Sequence, residues 1–277
     1  CSFIGQSPIG GNGFALMSQH LLDPSGPIRC SGQYSDFCCQ RGNLSHQWLC
    51  GLTDDSPTGV AGQASSILTG HDRQLEKLGL TLSRNVVRTW WYLKNIDRDY
   101  EAFVEVRRKH FESHGLDSSS HYIASTGIAG SHAGDGTLIS LDSYSIGGLQ
   151  TQQVEHLNAP AHMGPTHDYG VTFERATAIS YSDRRHILIS GTASINPSGE
   201  ILHPGNTSLQ LDRAMENVMA LLATAKASLE DLLVIVVYVR DHKDGRLVNG
   251  LLNERHPLLP KIVVHAPVCR PGWLVEI

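Results

Sequence analysis

The sequence predicts an α+β protein made of two tandem units, each a mixed sheet with two helices packed on one face. An internal repeat, two amphipathic helices and a set of short apolar runs carry that expectation. The repeat pairs VVRTWWYLKNIDRDYEAFVEVRRKHF (Val86 to Phe111) with VIVVYVRDHKDGRLVNGLLNERHP (Val234 to Pro257). At a shift of 146 residues Tyr92 falls on Tyr238, Asn95 on Asp241 and His110 on His256. Each copy reads as strand, polar turn, helix.

The elements follow in order. Val86–Leu93 and Leu232–Val239 are apolar runs of strand length. The segments NIDRD and RDHKD behind them offer aspartates as helix caps. Ahead of each copy stands another helix, Thr69–Leu80 and Ser208–Ala227, the second with Leu211, Met215, Val218 and Leu222 along one face. HILISGTA followed by NPSGE reads as a hairpin. After the second helix of each copy come YIASTGI and KIVVHAPV, then TLISLDSYSI and WLVEI. Each unit is therefore β-β-α-β-α-β-β. The first spans 1–150, a Gly-, Pro- and His-rich linker spans 151–170, and the second spans 171–277. Residues 34–62 read as an elaborated loop or insertion.

The 277 residues are 40% hydrophobic and 18% charged, enough for packed cores. A net charge of −5 argues against a nucleic-acid partner held through its phosphates. No apolar run reaches the roughly 18 residues of a membrane span. No signal peptide is evident, and the lack of an initiator Met implies numbering that begins inside a longer chain or after processing. Six cysteines without a CxxC pair read as reduced thiols, and hence as a cytoplasmic protein.

The second half resembles the Rid superfamily, also called YjgF and once labelled endoribonuclease L-PSP. ISGTASINPSGEI, AMENVMALLATAKASLEDLLVIVVYVRD, VNGLLNERHP and LVEI carry the resemblance. A degenerate Rid-like half before a well-formed one is similar to the chorismatases, through RTWWYL, ASTGI, FERA, SGTASI and CRPGWLVEI. The resemblance implies chorismate-mutase-like units, a homotrimer, and a pocket where units meet. It also implies hydrolysis of an unsaturated carboxylic acid such as the enol ether chorismate. The alternatives are imine or enamine deamination of the Rid type, and non-catalytic binding of a small metabolite. Rid deaminases carry an arginine on the strand before the last, where this chain has Pro260 or Lys261.

Glu276 is the candidate catalytic acid. Strand alternation sets it opposite Val275 and Ile277, and a desolvated carboxylate is a proton donor near neutral pH. A wet edge strand is the other reading. Cys269 is a second catalytic candidate, as nucleophile or specificity determinant, against an inert buried thiol. Arg88, Arg175 and Arg270 are candidates for gripping a carboxylate, against structural salt bridges. Tyr92 is a candidate pocket wall. Thr126 and Gly127, with Ser190, Gly191, Thr192 and Ala193, offer small side chains and N–H donors to an anion, against tight sheet packing. Asn249 matches a polar position of the Rid pattern. His110 and His114 have metal-capable spacing, but no third ligand is evident, so they read as isolated surface histidines and no metal is expected. Without a GxGxxG or P-loop, no nucleotide cofactor is expected either.

Overall fold

A computed structural model describes residues 2–10, 13–18, 29–33 and 35–277. The first elements are β1 (Ser7–Pro8), β2 (Arg29–Gln33), β3 (Asp36–Arg41), β4 (Leu44–Thr53), α1 (Gly59–Lys77) and the single turn α2 (Leu82–Asn85). They are followed by β5 (Val86–Leu93), α3 (Ile96–Ser113), β6 (Ala124–Ala129) and β7 (Ile139–Gly147). Then come β8 (Val154–Leu157), β9 (Ala176–Ser180), β10 (Arg185–Ile189), α4 (Thr207–Thr224), β11 (Ile235–Val239), α5 (Gly245–Arg255), β12 (Lys261–His265) and β13 (Val275–Glu276).

One sheet has the order β2-β3-β4-β7-β5-β6. The corresponding strands of the second half run β8-β9-β10 and β13-β11-β12, joined through an Ala193–Glu276 bridge just beyond β10. In both halves the central strand pairs parallel with the strand after the second helix and antiparallel with the last strand. The chain is thus a tandem of two like units; in the second, β9 and β10 form the hairpin, β8 precedes them, and the strand expected after NPSGE is reduced to an isolated Ile195–Ile201 bridge. β8 lies inside the segment read as a linker and pairs with β9. β1 crosses over to the edge strand β12 of the second sheet.

Residues 35–53 are not an insertion. They hold β3, β4 and the Gly42–Asn43 turn between them. Their alternation is broken because two adjacent buried positions of β4 are polar: His46 and Gln47 are both buried beside Leu49, and His46 Nδ1 meets the Tyr144 hydroxyl at 2.7 Å. α1 begins ten residues before the sequence expectation, since Val60, Ala64, Ile67 and Leu68 continue its buried stripe through Gly and Ser neighbours. The expected aspartate caps do not form at α3 or α5. Asp244 accepts from Thr207 Oγ1 at 2.7 Å and so ties the start of α4 to the start of α5.

Leu211, Met215, Val218 and Leu222 are buried, as their spacing predicts. α1 and α3 cover Trp91, Leu93 and Leu141, while α4 and α5 cover Val237, Val239 and Val263. A further cluster, including Ile128, Ala193, Tyr238 and Val268, contains residues of both units. Burying these side chains contributes on the order of 1.5–3 kcal/mol each. That shared core fixes the units against each other where the site lies.

Candidate active site

A cleft of about 490 Å³, counted to its solvent mouth, opens between the units. The first unit contributes Tyr100 and Arg107 from α3 and Ser125, Thr126 and Gly127 from β6; the second contributes Gly191, Ala193, Cys269, Arg270, Trp273 and Glu276. Both sets come from one chain.

Glu276 is only 4% exposed. Its neighbour Val275 turns into the helix-covered core, so the two-residue strand β13 delivers the carboxyl to the cleft. Burial pushes its pKa up to about 8, and the positive charge of Arg88 offsets this only in part. The carboxyl is therefore mainly protonated at neutral pH. A Cβ at Gly191 would come within 2.1 Å of Glu276 Oε1. Glycine is required there so that the acid can lie flat against the backbone.

Arg88 is buried behind the acid and does not line the cleft. Its Nη1 donates to Thr89 O at 2.6 Å and its Nη2 to Thr126 Oγ1 at 2.5 Å, with the guanidinium over the Trp90 ring. Its charge acts on Glu276 through space, which makes it a tuning residue and corrects its reading as a substrate contact. Arg175 reaches the cleft, but its Nε and Nη2 are committed to Gly164 O at 3.3 and 2.8 Å. Arg270 has one long contact, from Nη2 to Tyr169 O at 3.5 Å, and stacks over Tyr169 and Trp273. Its donors are the freer ones for an anion.

Cys269 lines the cleft, and burial followed by the charge of Glu276 raises its thiol pKa well above the usual range. A thiol held protonated is a poor nucleophile. Tyr100 hydrogen-bonds to it. The geometry thus favours a shape-setting role for Cys269 over an attacking one.

Thr126, Gly127, Gly191 and Ala193 line the cleft as the sequence suggests. Ser190, Thr192, Tyr92 and Asn249 do not. Ser190 Oγ accepts from Ser125 N at 2.8 Å and donates to Glu174 O at 2.5 Å, which stitches the units together. Thr192 Oγ1 donates to Ser190 O at 2.9 Å. Tyr92 packs into the shared core, and Asn249 lies on α5 outside the cleft lining.

The sequence reading missed Arg107, which is 1% exposed and lines the cleft. Its Nε donates to Thr172 Oγ1 at 3.2 Å, while the buried Nη2 has no hydrogen-bond partner among the described residues. An unpaired buried guanidinium nitrogen is costly and invites an anionic ligand. The signal was present: Phe103, Arg107 and Phe111 recur every four residues on the buried face of α3. It is the same pattern, a basic residue in an apolar run, that marks Arg88 in β5.

Residues 175–277 match the family described as Endoribonuclease L-PSP. The second unit is therefore similar to that family over residues 175–277, and a unit of like topology precedes it. A RutC family protein of Pyrococcus abyssi (strain GE5 / Orsay) is 36% identical over 69 residues, 24% of this chain and 54% of that protein, so the chain spans about half the length of that curated relative. A solved chorismatase structure matches 90% of this chain and 78% of its own with a TM-score of 0.72 at 20% identity. A YjgF/YER057c/UK114 family structure from Mycobacterium tuberculosis covers 39% of this chain and 82% of its own, at 22% identity and a TM-score of 0.32. The family match is confined to residues 175–277, while the fold of the chain as a whole is that of the chorismatase structure. No helix among the described residues is long and apolar enough to cross a membrane.

Proposed function

We propose that the protein hydrolyses a small unsaturated carboxylic acid of the chorismate-like enol ether type, with Glu276 as general acid. The observation that carries this reading is a buried carboxyl, its pKa raised to about 8, in a cleft that also holds the donors of Arg107 and Arg270. In an enol ether R–O–C(=CH₂)–COO⁻ the electron-rich atom is the terminal carbon. Glu276 gives its proton to that carbon, which becomes CH₃ and leaves positive charge shared between the adjacent carbon and the ether oxygen. Water adds to the adjacent, positively charged carbon to form a hemiketal and returns a proton to the Glu276 carboxylate. The hemiketal then collapses: the bond from the central carbon to the ether oxygen breaks, the hemiketal hydroxyl proton passes to that oxygen, R–OH leaves, and pyruvate remains. Arg107 and Arg270 hold the substrate carboxylates, and Cys269, Tyr100 and Trp273 shape the wall.

The acidic net charge supports a small-molecule partner over a nucleic acid. The unbridged cysteines support a cytoplasmic setting, and the family resemblance supports a homotrimer. Two tandem units, with β8 from the segment 151–170 counted in the second, are the domain scheme we favour. Rid-type deamination is the weaker reading, since Lys261 stands at the start of β12 with its Nζ bonded to His256 O and Leu259 O. The test is incubation with chorismate and enzymatic detection of pyruvate. Pyruvate released by wild type and lost in E276Q is the expected result. Ammonia from a 2-aminoacrylate generator without pyruvate from chorismate would replace the proposal with deamination.

A further inference from the structure

Away from the cleft, α1 and α3 bring together three metal-ligating side chains. Asp72 Oδ2 lies 2.9 Å from His110 Nε2 and 3.2 Å from His114 Nε2. The three ligand atoms all lie within 4.8 Å of one another. His110 and His114 are one helical turn apart, with ring centroids 4.5 Å apart, so both rings reach the same side of α3. The third ligand that the sequence did not reveal comes from the neighbouring helix.

The tautomer favours ligation. His114 Nδ1 lies 2.8 Å from the His110 carbonyl oxygen, which can only accept. The Nδ1 therefore carries the proton, and in the neutral ring Nε2 presents its lone pair toward Asp72. A hydrogen bond of this kind is how proteins orient a metal-binding imidazole. A lone pair and a carboxylate oxygen at this separation repel each other unless a cation stands between them or the ring gains a second proton. A divalent ion satisfies all three groups at once. With bonds of about 2.0–2.2 Å, a tetrahedral ion sets its ligand atoms roughly 3.3 Å apart. The side chains of Asp72, His110 and His114 are 19, 17 and 34% exposed, so the position is shielded yet reachable.

We propose that Asp72, His110 and His114 form a binding site for a divalent transition metal of the zinc type, with water completing the coordination. The bound ion clips α1 to α3. Because α3 also carries Tyr100 and Arg107, the clip steadies the helix that supplies one wall of the cleft. This site is independent of the reaction proposed above.

The test is titration of the full chain with Zn²⁺ by calorimetry and thermal shift at a pH above the ordinary histidine range. Cysteines are first blocked, because Cys30 and Cys39 bring their sulfurs within 3.0 Å and offer a rival site. One tight equivalent and a raised melting temperature are expected for wild type. H114Q and D72N should each lose at least about tenfold in affinity, the scale seen when even supporting groups around a metal are removed. Both variants should melt near wild type in EDTA, which separates ligand loss from misfolding. Absence of zinc binding by wild type, or unchanged binding by both variants, overturns the proposal.

Discussion

In the second unit Tyr238 on β11 stands opposite Glu276; in the first, Tyr92 on β5 stands opposite Ser140. The outer neighbours agree with this register, since Ala193 pairs with Glu276 and Thr53 with Ser140. One unit keeps a carboxyl where the other has a hydroxyl. The first unit does carry a carboxylate nearby, Asp142, two residues further along β7. Asp142 Oδ1 accepts from Ser2 Oγ at 2.5 Å and from the Gly51 backbone N–H at 2.6 Å. Burial raises the pKa of both, but for Glu276 it is offset only by the guanidinium charge of Arg88 behind it. A carboxylate whose lone pairs are filled by the fold is structural. One held in a cleft with its proton is available for chemistry.

The largest effect should come from removing that proton. E276Q keeps the size of the protonated side chain but cannot donate to carbon, and general acids contribute about 10²–10⁴-fold. A kcat loss of that size with little change in KM is expected in the pyruvate assay. In wild type, kcat/KM should fall above about pH 8 as the acid ionises. The stability effect has a definite sign. The folded pKa of Glu276 lies above its unfolded value of about 4.3, so the unfolded chain binds fewer protons between these limits. The group's contribution is fully present below the unfolded value and is lost as pH rises toward about 8. E276Q lacks this loss, so its stability relative to wild type should rise across the window, by at most about 1.4 kcal/mol per pH unit. Urea melts at both ends of the window measure it.

The unequal units also explain what the sequence could reveal. The Tyr92–Tyr238 match was legible because both central strands are apolar runs. Glu276 was legible because a charge between Val275 and Ile277 breaks such a run. The β3–β4 hairpin was not, because His46 and Gln47 put two adjacent polar residues at buried positions of β4 and break the hydrophobic alternation. Arg88 stands out in the sequence as a charge within a strand, but only the fold shows that this charge lies behind the acid and not in the cleft. Thr192 and Ser190 looked like anion donors until their hydroxyls proved committed to backbone carbonyls. Asp72 could not be matched to His110 and His114 from sequence, since only the packing of α1 on α3 brings them together.

Next in size is the glycine that admits the acid. No positive φ is required of Gly191, so alanine suits the backbone, but its Cβ would displace Glu276 Oε1. A displacement near 1 Å can cost on the order of 10²-fold in rate. G191A should therefore lower kcat strongly while melting close to wild type. Preserved turnover would show that the acid need not lie against this strand. R270Q should act on binding instead. It removes a charged donor set from the cleft, and a charge-assisted hydrogen bond contributes about 1.5–3 kcal/mol. A KM increase of roughly tenfold or more with a smaller change in kcat is expected, read from saturation curves.

The smallest effect tests the comparison from its other side. D142N retains Oδ1, the oxygen that receives both Ser2 and Gly51, and loses only the negative charge. Exchanging a charged acceptor for a neutral one weakens the two bonds, on the order of 1 kcal/mol in all. Burial already raises the pKa of Asp142, so removing its charge also removes a desolvation cost that works in the opposite direction. The denaturation midpoint should therefore move little, and turnover should remain that of wild type. A drop in kcat comparable to that of E276Q would mean that the first unit's carboxylate takes part in the reaction, and the division between a structural and a chemical carboxylate would fail.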